Sequence, residues 1–112
     1  MSFSLEQNNI FLTKGDTFQL PIDFHQPIFG ASIDVAIYQE GTFEPKIHKT
    51  ITEHTDDEQG KTLIYIEKEA FDDLPVGTYT ISMSLTFLDD SKITFFPANP
   101  RQKALFHLTS AI

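Results

Sequence analysis

The chain reads as an all-β protein, an antiparallel β-sandwich of about 7–8 short strands. Three observations lead there. Tyr79, Ile81, Met83, Leu85 and Phe87 alternate strictly with Thr78, Thr80, Ser82, Ser84 and Thr86, and a period of two sends successive side chains to opposite faces of a strand. Turn signals recur at roughly ten-residue intervals. No segment carries the apolar period of a stable helix, and no repeat or Gly/Ser-rich linker divides the 112 residues, so a single sandwich domain spanning residues 1–112 is expected.

The elements follow in order. Ile10-Phe11-Leu12-Thr13 forms a short apolar strand that ends at the turn Lys14-Gly15-Asp16. From Thr17 to Phe24, residues Phe18, Leu20, Ile22 and Phe24 point inward. Pro21 cannot donate to a ladder, which predicts an edge or a bulge there. His25 to Gly30 is a loop, and Ile33, Val35 and Ile37 then alternate with Asp34, Ala36 and Tyr38 in a third strand. Gln39 to Pro45 turns. Lys46 to Thr52 is a weaker strand whose Ile47 and Ile51 flank Lys49, an inward-leaning charge of the kind that protects an exposed edge. Glu53 to Gly60 is an acidic loop, Lys61 to Glu67 a strand, and Lys68 to Leu74 one helical turn that Pro75 ends. After the Tyr79 strand, Asp89-Asp90-Ser91 turns into Lys92-Ile93-Thr94-Phe95-Phe96. Pro97-Ala98-Asn99-Pro100 breaks the sheet, and Ala104 to Thr109 supplies the last strand.

The entry to the long strand is the most specific feature. In Leu74-Pro75-Val76-Gly77-Thr78-Tyr79 the proline and glycine turn the chain, and a tyrosine enters the strand two residues after Gly77. Immunoglobulin-like sandwiches have such a corner, with the tyrosine packed inward and its hydroxyl returning to upstream backbone. Leu74, Gly77 and Tyr79 are therefore assigned as a structural corner, and the topology is expected to be immunoglobulin-like. Ile81 stands where the second cysteine of that fold would sit, so packed aliphatics and phenylalanines must do the work of the disulfide, each buried side chain contributing roughly 1.5–3 kcal/mol.

Composition narrows the function. A hydrophobic fraction of 40% with eleven phenylalanines describes a folded chain, not a disordered one. The absence of cysteine excludes thiolate chemistry, a disulfide scaffold and Cys-based zinc sites. A formal charge of −8 and a pI near 4.7 speak against nucleic acid and anionic lipid as partners. The N-terminus has neither a positive region nor an apolar run, and no stretch is long enough to span a membrane. A soluble protein made in the cytoplasm without a signal peptide is expected.

No catalytic residue, cofactor or metal ligand is assigned. His25, His48, His54 and His107 show no metal-ligand spacing, no serine lies in a G-x-S-x-G elbow, and the glycines are single. Asp56-Asp57-Glu58, Asp72-Asp73 and Asp89-Asp90 fall in turns, where calcium binds in some sandwiches. Aspartate in a turn more often bonds its own backbone, and the calcium-loop register is missing. The hydroxyl face of Thr78, Thr80, Ser82, Ser84 and Thr86 reads as the solvated side of the sheet.

Taken together, Lys14-Gly15-Asp16-Thr17 with Phe18-Gln19-Leu20-Pro21-Ile22, Gly30-Ala31-Ser32-Ile33-Asp34-Val35, Phe71 to Tyr79, and the hairpin Leu88 to Thr94 resemble the N-terminal immunoglobulin-like domain of phage baseplate upper proteins. The resemblance implies a non-enzymatic structural protein of a phage or prophage tail, acting through contacts with other virion proteins or with itself. It would be made in the host cytoplasm and assembled into the virion. Family members continue into a linker helix and further domains, so a chain ending at Ile112 is expected to be a small stand-alone component. The rival reading is a small carbohydrate-binding sandwich module, with Tyr38 or Tyr65 as its platform. A homo-oligomer is expected, with the C-terminal strand near the contact. Leu105 on one face and Phe106 and Leu108 on the other leave an apolar side uncovered.

Overall fold

In the computed structural model the described residues are 3–6, 9–97 and 103–110. They form nine strands and one short 3-10 turn: β1 Phe3–Glu6, β2 Asn9–Thr13, β3 Phe18–Asp23, β4 Ser32–Gln39, β5 Pro45–Ile51, β6 Lys61–Ile66, the 3-10 turn Lys68–Phe71, β7 Gly77–Thr86, β8 Lys92–Phe96 and β9 Leu105–Thr109. Eight match strands expected from the sequence. β1 does not, and it adds a short antiparallel arm to β2.

The strands divide unequally. A seven-stranded sheet runs β1-β2-β9-β7-β4-β5, with β8 also on β7, and a two-stranded sheet pairs β3 with β6. β7 explains the arrangement. Its ten residues pair with β4 along one edge, Ser32 to Gln39 against Thr86 to Tyr79. The other edge is shared, with Gly77–Thr80 against β9 and Met83–Thr86 against β8. All pairs are antiparallel except β2 with β9, which is parallel.

One core fills the space between the sheets. Ile10, Leu12, Ile33, Val35, Ile37, Tyr79, Ile81, Met83, Leu85, Phe106 and Leu108 from the large sheet meet Phe18, Ile64 and Ile66 from the small one. Phe106 stacks on Phe71 at 5.6 Å between ring centroids and meets Phe18 at 6.2 Å. Of the inward residues expected, Leu20, Ile22, Phe24 and Phe87 are only partly buried, because two strands cannot cover seven. An apolar cleft of about 240 Å³ lined by Leu20, Pro21, Ile22, Met83, Phe95 and Phe96 stays open along β3.

Edges behave as the residue types require. β5 ends the large sheet, and Lys49, flanked by Ile47 and Ile51, reaches Glu67 at 3.5 Å beyond the end of β6. Both partners are well exposed, so the pair contributes little stability, but it keeps a charge on the edge. β3, with Pro21 opposite Leu63, pairs on one side only.

Loops join the two layers at one end. Phe24 N donates to Gly60 O at 2.9 Å and Ile28 N to Asp57 O at 2.8 Å, which buries Ile28. Gly60 has φ +83° and lies against Gln26 so closely that a Cβ would collide with its carbonyl oxygen. His54 ties the acidic loop to both sheets. Its Nε2 donates to Ala31 O at 2.8 Å, ahead of β4, and its Nδ1 meets the buried Thr62 hydroxyl of β6 at 2.9 Å.

Candidate functional site

The corner forms as its residue types predict. Tyr79 is 6% exposed, and its hydroxyl donates to Pro75 O at 2.6 Å. Burial raises the Tyr79 phenol above its ordinary pKa, since the charged form would lose hydration. Leu74 is buried beneath the corner. Sequence reasoning missed one participant. The Lys14 ammonium donates to Leu74 O at 2.7 Å, so the successive carbonyls of Leu74 and Pro75 are capped by Lys14 and Tyr79. The turn Lys14-Gly15-Asp16 and the corner are thus one assembly. Gly77 needs correcting as a turn-maker. It lies within β7 opposite Leu108, its φ is not in the left-handed region, and no atom lies within 4 Å of where a Cβ would sit.

The uncovered apolar side expected of the C-terminal strand is also corrected. β9 lies inside the sheet, between β2 and β7. Phe106 and Leu108 are fully buried in the core and offer no free surface. Leu105 is half-buried on the opposite face. Beside it, the His107 ring stacks on Phe11 at 4.5 Å, accepts or donates to Thr78 Oγ1 at 3.2 Å, and donates to Asn9 Oδ1 at 3.0 Å. A strand with apolar residues on both faces need not be an edge when its outer face is dressed by neighbours on each side.

The outer face of the large sheet carries the densest polar grouping. Register places Asp34 opposite Ser84 and Thr50, Ala36 opposite Ser82 and His48, and Tyr38 opposite Thr80. Ala36 is the smallest side chain in this row, and a depression of about 340 Å³ opens over it, walled by Asp34, Tyr38, His48, Ser82, Ser84 and Lys92. Asp34 is fixed there, because its Oδ1 accepts from Thr50 Oγ1 at 2.8 Å and from His48 Nε2 at 3.2 Å. The hydroxyl row is less solvated than its composition implies. Only Thr78 is exposed, Thr80, Ser82 and Thr86 are half-buried, and Ser84 is 5% exposed.

The spacing within this group is set by register. His48 and Ser82 both neighbour Ala36, so they are two strand spacings apart, about 10 Å, and neither serine hydroxyl hydrogen-bonds the His48 ring. A base and a nucleophile are not brought together. Among the described residues no three His, Asp or Glu side chains group as metal ligands. The Asp89 carboxylate is occupied within its turn, accepting from Ser91 Oγ at 2.6 Å and Ser91 N at 3.0 Å. No helix among the described residues is long and apolar enough to cross a membrane. Comparison with family models, curated proteins and solved structures finds no match for this chain.

Proposed function

We propose that the chain is an immunoglobulin-like domain serving as a non-enzymatic structural component of a phage or prophage tail, acting through protein–protein contacts. The observation that carries this reading is the corner. The segments behind the resemblance to baseplate upper proteins, Lys14 to Asp16 and Leu74 to Tyr79, meet through the two capped carbonyls.

Strand order supports the immunoglobulin-like assignment. With β7 as the tyrosine-bearing strand F, β4 and β9 flank it as C and G, β5 takes the place beside C, and β3 with β6 correspond to B and E on the facing sheet. The helical turn falls between E and F, ahead of the corner. Such a fold hosts many functions, so the tail role rests on the motifs. The open apolar cleft along β3 supports action by surface contact, since half-buried Leu20, Ile22, Phe95 and Phe96 await cover. That seam replaces the C-terminal strand as the place where a partner or second copy would sit.

Mass spectrometry of purified phage particles from the encoding strain gives the test. The chain is expected at stoichiometric level in tail-bearing particles, and its absence from every particle fraction would refute the role. Light scattering on the purified protein is expected to show self-association that Leu20→Asp abolishes. A partner-dependent assembly would instead leave the chain monomeric alone.

A further inference from the structure

The depression over Ala36 has the chemistry of a ligand site. Ser84 is only 5% exposed as a residue, yet its hydroxyl has no protein partner and keeps its remaining accessible surface where it lines the depression. A hydroxyl that opens only onto such a recess takes its partner from whatever occupies the space, water or ligand. Ser82, Tyr38 and Lys92 also line it, and none of their side chains has a protein hydrogen bond. Asp34 is different, because its two donors hold it rigid before anything binds, and a preorganised acceptor loses less entropy on binding.

The mixture of groups selects the ligand class. Serine hydroxyls both donate and accept, Asp34 only accepts, and Lys92 only donates. A complement must therefore carry several neighbouring groups that can each do both. The half-buried Tyr38 ring adds an apolar wall. An anion would meet Asp34 and a chain of net charge −8. A volume of about 340 Å³ lies at the small end of ligand pockets, roughly 300–1,000 Å³. We propose that this depression binds a neutral pyranose unit, with Asp34, Ser82 and Ser84 on its hydroxyls and the Tyr38 ring against its C–H face. Tyr65 stands on the other sheet, opposite Gln19, and takes no part. The site does not depend on the tail reading.

The test is a titration of isotope-labelled protein with glucose, galactose, mannose and N-acetylglucosamine at millimolar concentrations, followed by amide NMR. Saturable shifts are expected at residues 34–38, 46–50 and 82–84 for at least one of these sugars. N-Acetylneuraminic acid is expected to bind more weakly. Ala36→Ile fills the floor without touching a polar group, and Ser84→Ala removes the unpartnered hydroxyl. Ser84→Ala is expected to weaken binding about tenfold, the worth of one well-made hydrogen bond, and Ala36→Ile at least as much by occupying the space. Ser82→Ala serves if either variant fails to give a folded spectrum, and Tyr65→Ala is expected to change nothing. No saturable shift with any of the four sugars, shifts centred elsewhere, or unchanged affinity in the folded variants would overturn the proposal.

Discussion

Replacing Tyr79 by phenylalanine isolates the corner. The ring is buried and stays in place, so packing is retained and only the bond to Pro75 O is lost. Pro75 itself is exposed, and its carbonyl can take water in exchange. The cost is then that of one net hydrogen bond, about 1 kcal/mol, without the added penalty of a stranded buried acceptor. For a domain of this size that corresponds to a fall of roughly 4–6 °C in Tm. Urea unfolding of both proteins at neutral pH is the assay, with equal slopes required so that the midpoint reports stability. A second arm uses pH. The Tyr79 phenol is raised in the folded state, so its contribution is complete below the ordinary tyrosine pKa near 10 and is lost as pH rises through the higher folded value. The gap between parent and variant should therefore narrow in alkali. A variant as stable as the parent at neutral pH, or a gap that widens with alkali, would refute the reasoning.

The remaining expectations concern packing and turns. Phe106→Ala removes the ring between Phe18 and Phe71 and should cost about 3–5 kcal/mol, enough to unfold a large fraction of molecules at 37 °C; calorimetry reads it. Gly60→Ala should be severely destabilising, because the left-handed φ and the Gln26 carbonyl both exclude a side chain. Gly77→Ala should be neutral or stabilising by roughly 0.5–1 kcal/mol, since nothing crowds that position. Equal losses in these two glycine variants would refute the reading that local space and φ set their cost. At Asp89 the Ser91 hydroxyl and then the Ser91 amide hold the carboxyl below its usual range. That contribution is present above the ordinary carboxylate pKa and disappears as pH falls through the lower folded value. The Ser91 amide resonance should move with a midpoint below about 3.9, and a midpoint above it would contradict the turn.

Alternation made β7 legible in the sequence, because its two faces differ completely in polarity. Lys49 between two isoleucines likewise marked the β5 edge, since a charge between apolar neighbours has few other uses. What alternation cannot supply is the identity of the neighbour. Leu105-Phe106-His107-Leu108 says which residues face the core, but not that β2, nearly the whole chain away, pairs alongside it. The four residues of β1 carry too short a pattern to stand out against loop sequence. The polar depression was hidden for the same reason. Asp34, Ala36 and Tyr38 were readable as outward residues, but His48 and Ser82 come to Ala36 only through register on two different strands. Lys14 could be read as a turn residue, while its reach to Leu74 belongs to the folded corner alone.

The parallel pairing of β2 with β9 has a mechanical consequence. A load drawing Asn9 and Thr109 apart runs along both strands in opposite senses, because Asn9 pairs with Leu105 at one end and Thr13 with Thr109 at the other. The ladder is then sheared, and its hydrogen bonds must fail together rather than one after another. The antiparallel β1–β2 arm is loaded differently: tension on Phe3 peels it open pair by pair from Leu12. Tension through the chain should therefore release a short slack at low force and meet a single stiff event afterwards. Pulled in an optical trap, the domain would behave as a buckle that slips once before it holds, and a featureless gradual extension would show that the β2–β9 clasp bears no load.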